Sequence, residues 1–299
     1  MTSAACGRIP RGAVVVGIST RTGANGALSW ARAEAAERRA PLVVVRVLKD
    51  DPGAVLAKLS REAALVVVGG PCGGPDVWST SLGTRLAEES RAPVVVVRGD
   101  HGREQERDWP VVVALADTEE ADSLLAFAFG TAARQRRPLV VVHAMNGGTG
   151  VRPALPLPAT VAYLVPGRGR ADQERAVWHA RLSAALRTWS QRYPEVPVRV
   201  EIAMDEPARA VLARTRHAAL LVLGIRRLRE RVSLWRILPS VVPMSRPLEL
   251  AAIWSSCCPV ALVPRAAQAD QQGDQVFSTD EVRGVEIPVE GSPERVKSS

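Results

Sequence analysis

The sequence predicts an α/β protein of two tandem Rossmann-like parallel-sheet domains, the first truncated. Three observations carry this. Short valine-rich runs such as AVVVGI (13–18) and LVVVRVL (42–48) alternate with longer stretches of helical spacing. Unbroken β-branched runs of that length fit strands buried on both faces, and their alternation with helices calls for right-handed βαβ crossovers. The pattern then restarts: PLVVVHAM (138–145) closely copies PLVVVRVL (41–48), the mark of an internal duplication. Finally, 299 residues with 46% hydrophobic and only 4% aromatic content allow two cores of about 150 residues each, built from Val, Leu and Ala.

Each element has its own reason. AVVVGI leads through the polar STRTGANG into a helix over 27–39, with Ala27, Trp30, Ala31 and Ala35 on one face and Arg32, Glu34 and Arg38 elsewhere. Pro41 breaks it before the strand 42–48. In 50–64, Asp51 serves as N-cap and Pro52 as the first helical residue. LVVVGG (65–70) is a third strand, a short helix follows over 84–90, and PVVVVR (93–98) is the last strand of the first half. The charged linker DHGREQERD (100–108) separates the halves. The second half repeats the scheme with strands at 110–117, 138–145, 220–225 and 258–264 and helices at 123–137 and 206–219. It also has a long helix over 173–192, with Val177, Leu182, Leu186 and Trp189 as its apolar stripe, and a strand, VPVRVEIAM (196–204), that the first half lacks. These readings set domains at 11–99 and 109–265. Residues 266–299 hold seven acidic and three basic residues, a net −4 that leaves +12 on residues 1–265. That tail reads as disordered and acidic, with a charge that favours folding back on the core.

The stretch around which the chain is organised is VVVGGPCGGPDVWSTSLGT (66–84). A buried strand running into closely spaced glycines and a helix start is a ready anion site, because glycine lets the backbone approach a ligand and the first N–H groups of the helix face it. The same glycines equally fit a plain surface turn.

The spacing Gly70-x2-Gly73-x9-Gly83-Thr84, after a VVVG strand and before a helix and a PVVVV strand, resembles the ATP-binding motif of the universal stress protein family. The likeness covers about residues 11–265, and the two halves resemble the tandem arrangement common in actinobacterial members. The resemblance implies an adenine nucleotide alpha hydrolase-like fold. It implies that Gly70, Gly73, Gly83 and Thr84 wrap ribose and phosphates, and that Val47 packs near adenine. Ser19 falls where the family usually has aspartate, which removes a carboxylate and keeps one hydrogen bond. Against the family pattern the first half lacks one βα unit between Val47 and Asp51. In the second half, Gly224 is matched to Gly70, Arg227 stands at the place of Gly73, Arg246 and Pro247 at the Gly-Thr pair, and Ala116 at the aspartate. A proline there donates no N–H. The resemblance therefore implies ATP or a related adenine nucleotide, with Mg2+ accompanying it, in the first half only, and a second half that acts as a partner domain.

Other chemistry is thin. The four histidines, His101, His143, His179 and His217, have no metal-ligand spacing, and His143 reads as a core or rim residue. Cys72 and Asp76 sit in the glycine loop and read as loop residues. Cys6, Cys72, Cys257 and Cys258 make no disulfide framework, which fits a cytoplasmic setting. No apolar run reaches about 18 residues, so no membrane partner is expected. The basic stretch RRLRERVSLWR (226–236) reads as a solvated face in a chain with only three lysines among 39 basic residues, so nucleic acid is not the expected partner. With no Ser-His-Asp set, no paired carboxylates in a motif and no Walker lysine, a non-enzymatic regulatory protein is the first reading. A nucleotide-free scaffold that pairs its halves or two copies of the chain is the second, and a slow ATPase dependent on Thr84 the third.

Overall fold

The computed structural model describes residues 9–18, 24–47, 51–70, 82–83, 86, 89–98, 108–116, 118, 121–145, 168–225, 248–264, 285–286 and 289–290. By its contacts the chain divides into two compact units. One takes residues 1–105, 225–237 and 261–299, the other 106–224 and 238–260.

In the first repeat, β1 (Ala13–Ile18), β2 (Leu42–Val47), β3 (Ala63–Gly69) and β4 (Val94–Val97) run parallel in the order β2-β1-β3-β4. Their valines are almost completely buried, each removing apolar surface worth about 1.5–3 kcal/mol from water. Helices α1 (Ala24–Arg38) and α2 (Pro52–Leu59) connect them. The predicted α1 face is buried at Ala27, Trp30, Ala31 and Ala35. Glu34 differs from expectation: it is fully buried, and its carboxylate accepts from Arg38 Nε at 2.7 Å. Position 34 is two helical turns after Ala27, on the same face, so the carboxylate goes in with its cation beside it. At α2 the Asp51 side chain accepts from the Gly53 N–H at 3.0 Å with Pro52 at N1, as the sequence suggests.

In the second repeat, β5 (Val111–Ala114), β6 (Leu139–Ala144), β7 (Val198–Ala203) and β8 (Leu220–Gly224) are parallel in the order β7-β6-β5-β8. The Leu221 N–H donates to the Pro259 carbonyl, just ahead of β9 (Val260–Val263). The helices are α3 (Asp122–Gln135), α4 (Arg168–Arg192), α5 (Pro207–Leu212) and α6 (Leu248–Ser255). The α4 stripe corrects the sequence reading by one residue. Leu182 and Leu186 are buried, but Val177 is 48% exposed; Trp178, four residues before Leu182, turns inward and stacks on His143 at 3.9 Å.

The likeness between the two halves extends to individual hydrogen bonds. Val14 N–H donates to Pro41 O in the first repeat, and Val111 N–H to Pro138 O in the second, an offset of 97 residues. Val66 N–H to Pro93 O matches Leu221 N–H to Pro259 O, an offset of 155 between the donors and 166 between the acceptors. The donor offset is 58 residues larger than in the first pair, which accounts for the second repeat's extra α4 and β7. Side chains follow the same rule. Ser60 Oγ donates to Ala57 O and accepts from the Arg91 N–H, while Thr215 Oγ1 donates to Leu212 O and accepts from the Cys257 N–H. Ser90 Oγ donates to Ala92 O, and Ser256 Oγ to Cys258 O. Helices α1 and α3 both close through a left-handed arginine, Arg39 (φ 52°) and Arg136 (φ 51°), two residues before a proline. Where the repeats differ they compensate. A Cβ on Gly17 would stand 2.7 Å from Leu56 Cδ1, whereas the equivalent pair is Ala114 and the smaller Val211.

Two predictions follow from these local geometries. Gly17→Ala should destabilise the chain by about 1–3 kcal/mol through overpacking, and adding Leu56→Val should recover most of it in denaturant titrations. Arg39→Gly and Arg136→Gly, both at exposed positions, should each raise stability by about 1 kcal/mol by removing the cost of a left-handed non-glycine residue.

Candidate functional site

In an open α/β sheet, ligands bind beyond the carboxyl ends of the strands where the strand order reverses. In the first repeat that reversal lies between β1 and β3. The chain leaves β1 at Ile18 and β3 at Gly69, so Ser19 follows one and Gly70 the other. Of the sequence-predicted residues, Val47 ends β2, Gly70 stands just past β3, and Gly83 is a buried helical residue. Ser19, Gly73 and Thr84, together with Cys72 and Asp76, lie outside the described residues, as do Arg227, Arg246, Pro247 and the basic stretch 226–236.

Gly70 is held by the sheet. Its N–H donates to the Val97 carbonyl at 2.7 Å, so this N–H is spent on β4 and is not among the groups that can face an anion. A Cβ here would stand 2.6 Å from Arg98 Cγ and 3.1 Å from Val96 Cγ1. Glycine is thus required because the arginine stem passes directly over the backbone. Sequence reasoning placed Arg98 only as the end of PVVVVR; the structure brings its stem to the rim of the glycine loop. The signal available was a cation one residue past a strand that neighbours β3. Gly83 is less constrained, with Val96 Cγ2 at 3.4 Å from a hypothetical Cβ.

At the same place the second repeat is different. The Ile225 N–H donates to Val263 O at 3.0 Å, as Gly70 does to Val97, so the counterpart of Gly70 is the buried Ile225; Gly224 corresponds to Gly69. That shifts the sequence match by one residue. The counterpart of Arg98 is Pro264. His143, near the end of β6, is buried; its Nδ1–H donates to the Leu115 carbonyl at 2.8 Å, its ring stacks on Trp178, and Arg181 lies 5.4 Å from that indole. This is the core histidine the sequence suggested. A groove of about 380 Å³ lies between α4 and the amino-terminal half of β7, lined by residues including Leu186, Arg187, Val198 and Val200, away from the strand ends. Among the described residues no three His, Cys, Asp or Glu side chains come together, and no helix is long and apolar enough to cross a membrane.

Comparison with known proteins adds a family signal. Residues 110–242 match the universal stress protein family. A universal stress protein of Mycobacterium tuberculosis is 29% identical over 177 residues, covering 57% of this chain and 54% of that protein. One of Mycolicibacterium smegmatis is 27% identical over 186 residues, covering 61% and 58%. The chain spans about half the length of the curated relatives it matches. Among solved structures, a universal stress protein of Archaeoglobus fulgidus aligns with a TM-score of 0.49 at 17% identity, over 87% of this chain and 90% of that one.

Gly70→Ala should cost about 1–3 kcal/mol. In a double-mutant cycle Arg98→Ala should return part of that loss, whereas Gly83→Ala should be nearly neutral. Additive behaviour of positions 70 and 98 would contradict the close approach. The chain is similar to mycobacterial universal stress proteins, with the match to the family model carried by residues 110–242.

Proposed function

We propose that this is a universal stress protein-like regulatory protein of the cytoplasm, built of tandem domains at 11–99 and 109–265. It binds ATP or a related adenine nucleotide in the first domain only, with Mg2+ arriving on the phosphates. The observation that supports this reading most is the reversal of strand order between β1 and β3, where the chain is thinned to glycine at Gly17, Gly69 and Gly70 and a cation, Arg98, stands beside Gly70. In this reading Gly70, Gly73, Gly83 and Thr84 wrap the ribose and phosphates, Ser19 keeps one hydrogen bond to the nucleotide and Val47 packs near adenine. Arg98 carries a guanidinium, a group suited to phosphate through charge-assisted hydrogen bonds. The second domain, with Ile225 and Pro264 in the matching places, stays empty and serves as a partner surface.

A second reading, a nucleotide-free scaffold, is favoured by one specific observation. Gly70 is already required by Arg98 and by its bond to Val97, so that glycine needs no ligand to account for it.

Denaturing release and mass spectrometry of co-purifying small molecules, followed by calorimetric titration with ATP, separates the two. The nucleotide reading expects stoichiometric adenine nucleotide, loss of binding in Gly83→Trp, and at least about tenfold weaker binding in Arg98→Ala, some 1.4 kcal/mol. An empty protein that also ignores added ATP leaves the scaffold reading.

A further inference from the structure

The sheets of the two repeats end differently. In the first, the outer side of β2 meets two short strands, β10 (Val285–Glu286) and β11 (Val289–Glu290), both antiparallel to it. This corrects the expectation of a tail disordered from 266 to 299, since these four residues form strands within it. In the second repeat β7 comes last. Among the described residues it pairs with β6, from Val198 opposite Leu139 to Ala203 opposite Ala144, and with no other strand.

Two hydrogen bonds fix which backbone groups of β7 face outward. The Leu139 N–H donates to the Pro197 carbonyl, and the Met145 N–H to the Ala203 carbonyl. Along a strand the N–H and C=O of one residue point to one side and those of the next to the other. Residues 197, 199, 201 and 203 therefore turn their backbone groups to β6, while Val198, Val200 and Ile202 turn theirs away. Those three residues are half-buried, and Val198 and Val200 line the groove beside Leu186 and Arg187 of α4. On the opposite face Arg199, 72% exposed, places Nη2 at 2.6 Å from Glu201 Oε1, and Glu201 Oε2 accepts from Arg214 Nε at 2.6 Å.

We propose that the outer edge of β7 pairs antiparallel with the β7 edge of a second copy of this chain, about a two-fold axis through Val200. This goes beyond the nucleotide reading and does not depend on it. The strand itself selects the register. With the axis at Val200, Val200 meets its own counterpart and Val198 meets Ile202, so all three outward residues form hydrogen-bonded pairs. Arg199 then stands opposite the second copy's Glu201, and Glu201 opposite the second copy's Arg199. Both contacts fall at the non-hydrogen-bonded positions, where opposed side chains come closest. Moving the axis by one residue sets Arg199 against Arg199 or Glu201 against Glu201. The edge is thus complementary to itself in one register and repelled in the two beside it, as an isologous contact requires. The stretch 194–206 holds Glu195, Glu201, Asp205 and Glu206 against Arg199, with Arg187 and Arg214 beside it, so the net charge of +8 is not concentrated here. A bare six-residue edge is a template for another strand, and pairing would remove three half-buried aliphatic side chains from water.

The test uses the full chain in sedimentation velocity. Arg199→Glu and Glu201→Arg each set like charges in register, so either alone should weaken self-association at least about tenfold. Mixed in equal amounts the two should recover the dimer, because each strand then meets opposite charges. Val200→Pro removes an outward N–H and no bond to β6, so it should keep the fold, followed by circular dichroism, and give the mass of one chain. Amides of 198–203 in the unsubstituted chain should gain protection from hydrogen exchange as concentration rises, with no change at 111–114. A single-chain mass up to about 1 mM, a dimer indifferent to all three variants, or a mixture no heavier than its components overturns the proposal. So does protection at 198–203 that ignores concentration, which would mean that another part of the same chain covers the edge. Each result can be read whether or not the protein binds nucleotide.

Discussion

Valine strands buried on both faces leave their backbone as the only polar group in the layer, and every N–H and C=O in them must find a partner within the sheet. Much of this chain reads as a response to that requirement. The prolines at 41, 93, 138 and 259 each precede a strand and offer a carbonyl to an N–H of a neighbouring one: Pro41 to Val14, Pro93 to Val66, Pro138 to Val111 and Pro259 to Leu221. The hydroxyls of Ser60, Ser90, Thr215 and Ser256 take up the amides and carbonyls where helices hand over to strands. The 58 residues by which the first half is shorter up to β3 do not relax the requirement. Their absence moves the unmet groups to the outer side of β2, where a piece of the tail meets them.

The strand set was readable in the sequence because β-branched runs bounded by proline and glycine admit few other conformations, and residues 13–18 coincide with the observed strand. What was not readable depended on phase and on distance. Glu34 was assigned outward by its charge, yet helical spacing places it with Ala27 and Ala31, and the ion pair to Arg38 makes that tolerable. Val177 was placed on the apolar stripe of α4, but burial there follows the line through Trp178, Leu182 and Leu186. The tail strands were missed because composition outweighed pattern: Val285, Ile287 and Val289 alternate with polar or proline residues, a period-two signal that becomes meaningful only once β2 is known to lack a neighbour.

The candidate site was legible in part for the same reason. Sequence spacing located Gly70 and Gly83, but it gave no means of separating a glycine needed by a ligand from one needed by packing. Gly70 belongs at least to the second class, since Arg98 crosses it and its amide is already engaged. The comparison between repeats sharpens this. At equivalent places one repeat has Gly70 with Arg98 and the other has Ile225 with Pro264. An arginine at a strand end costs nothing to keep in water and would be replaceable by a smaller residue if only packing mattered. The second repeat shows such a replacement, with a buried aliphatic side chain taking the space.

The two repeats therefore differ most where a sheet of this topology can do something, at the reversal of strand order, and at the edge beyond β2. Between those places the hydrogen-bond scheme is shared almost bond for bond. The frame common to the two halves commits most backbone groups to the layer. The carboxyl ends of β1 and β3 are an exception, because the chain leaves the sheet there. The outer side of β2 is another, because the missing strand left it without a partner of its own. Val47 ends β2 and pairs in register with Val285 of the tail.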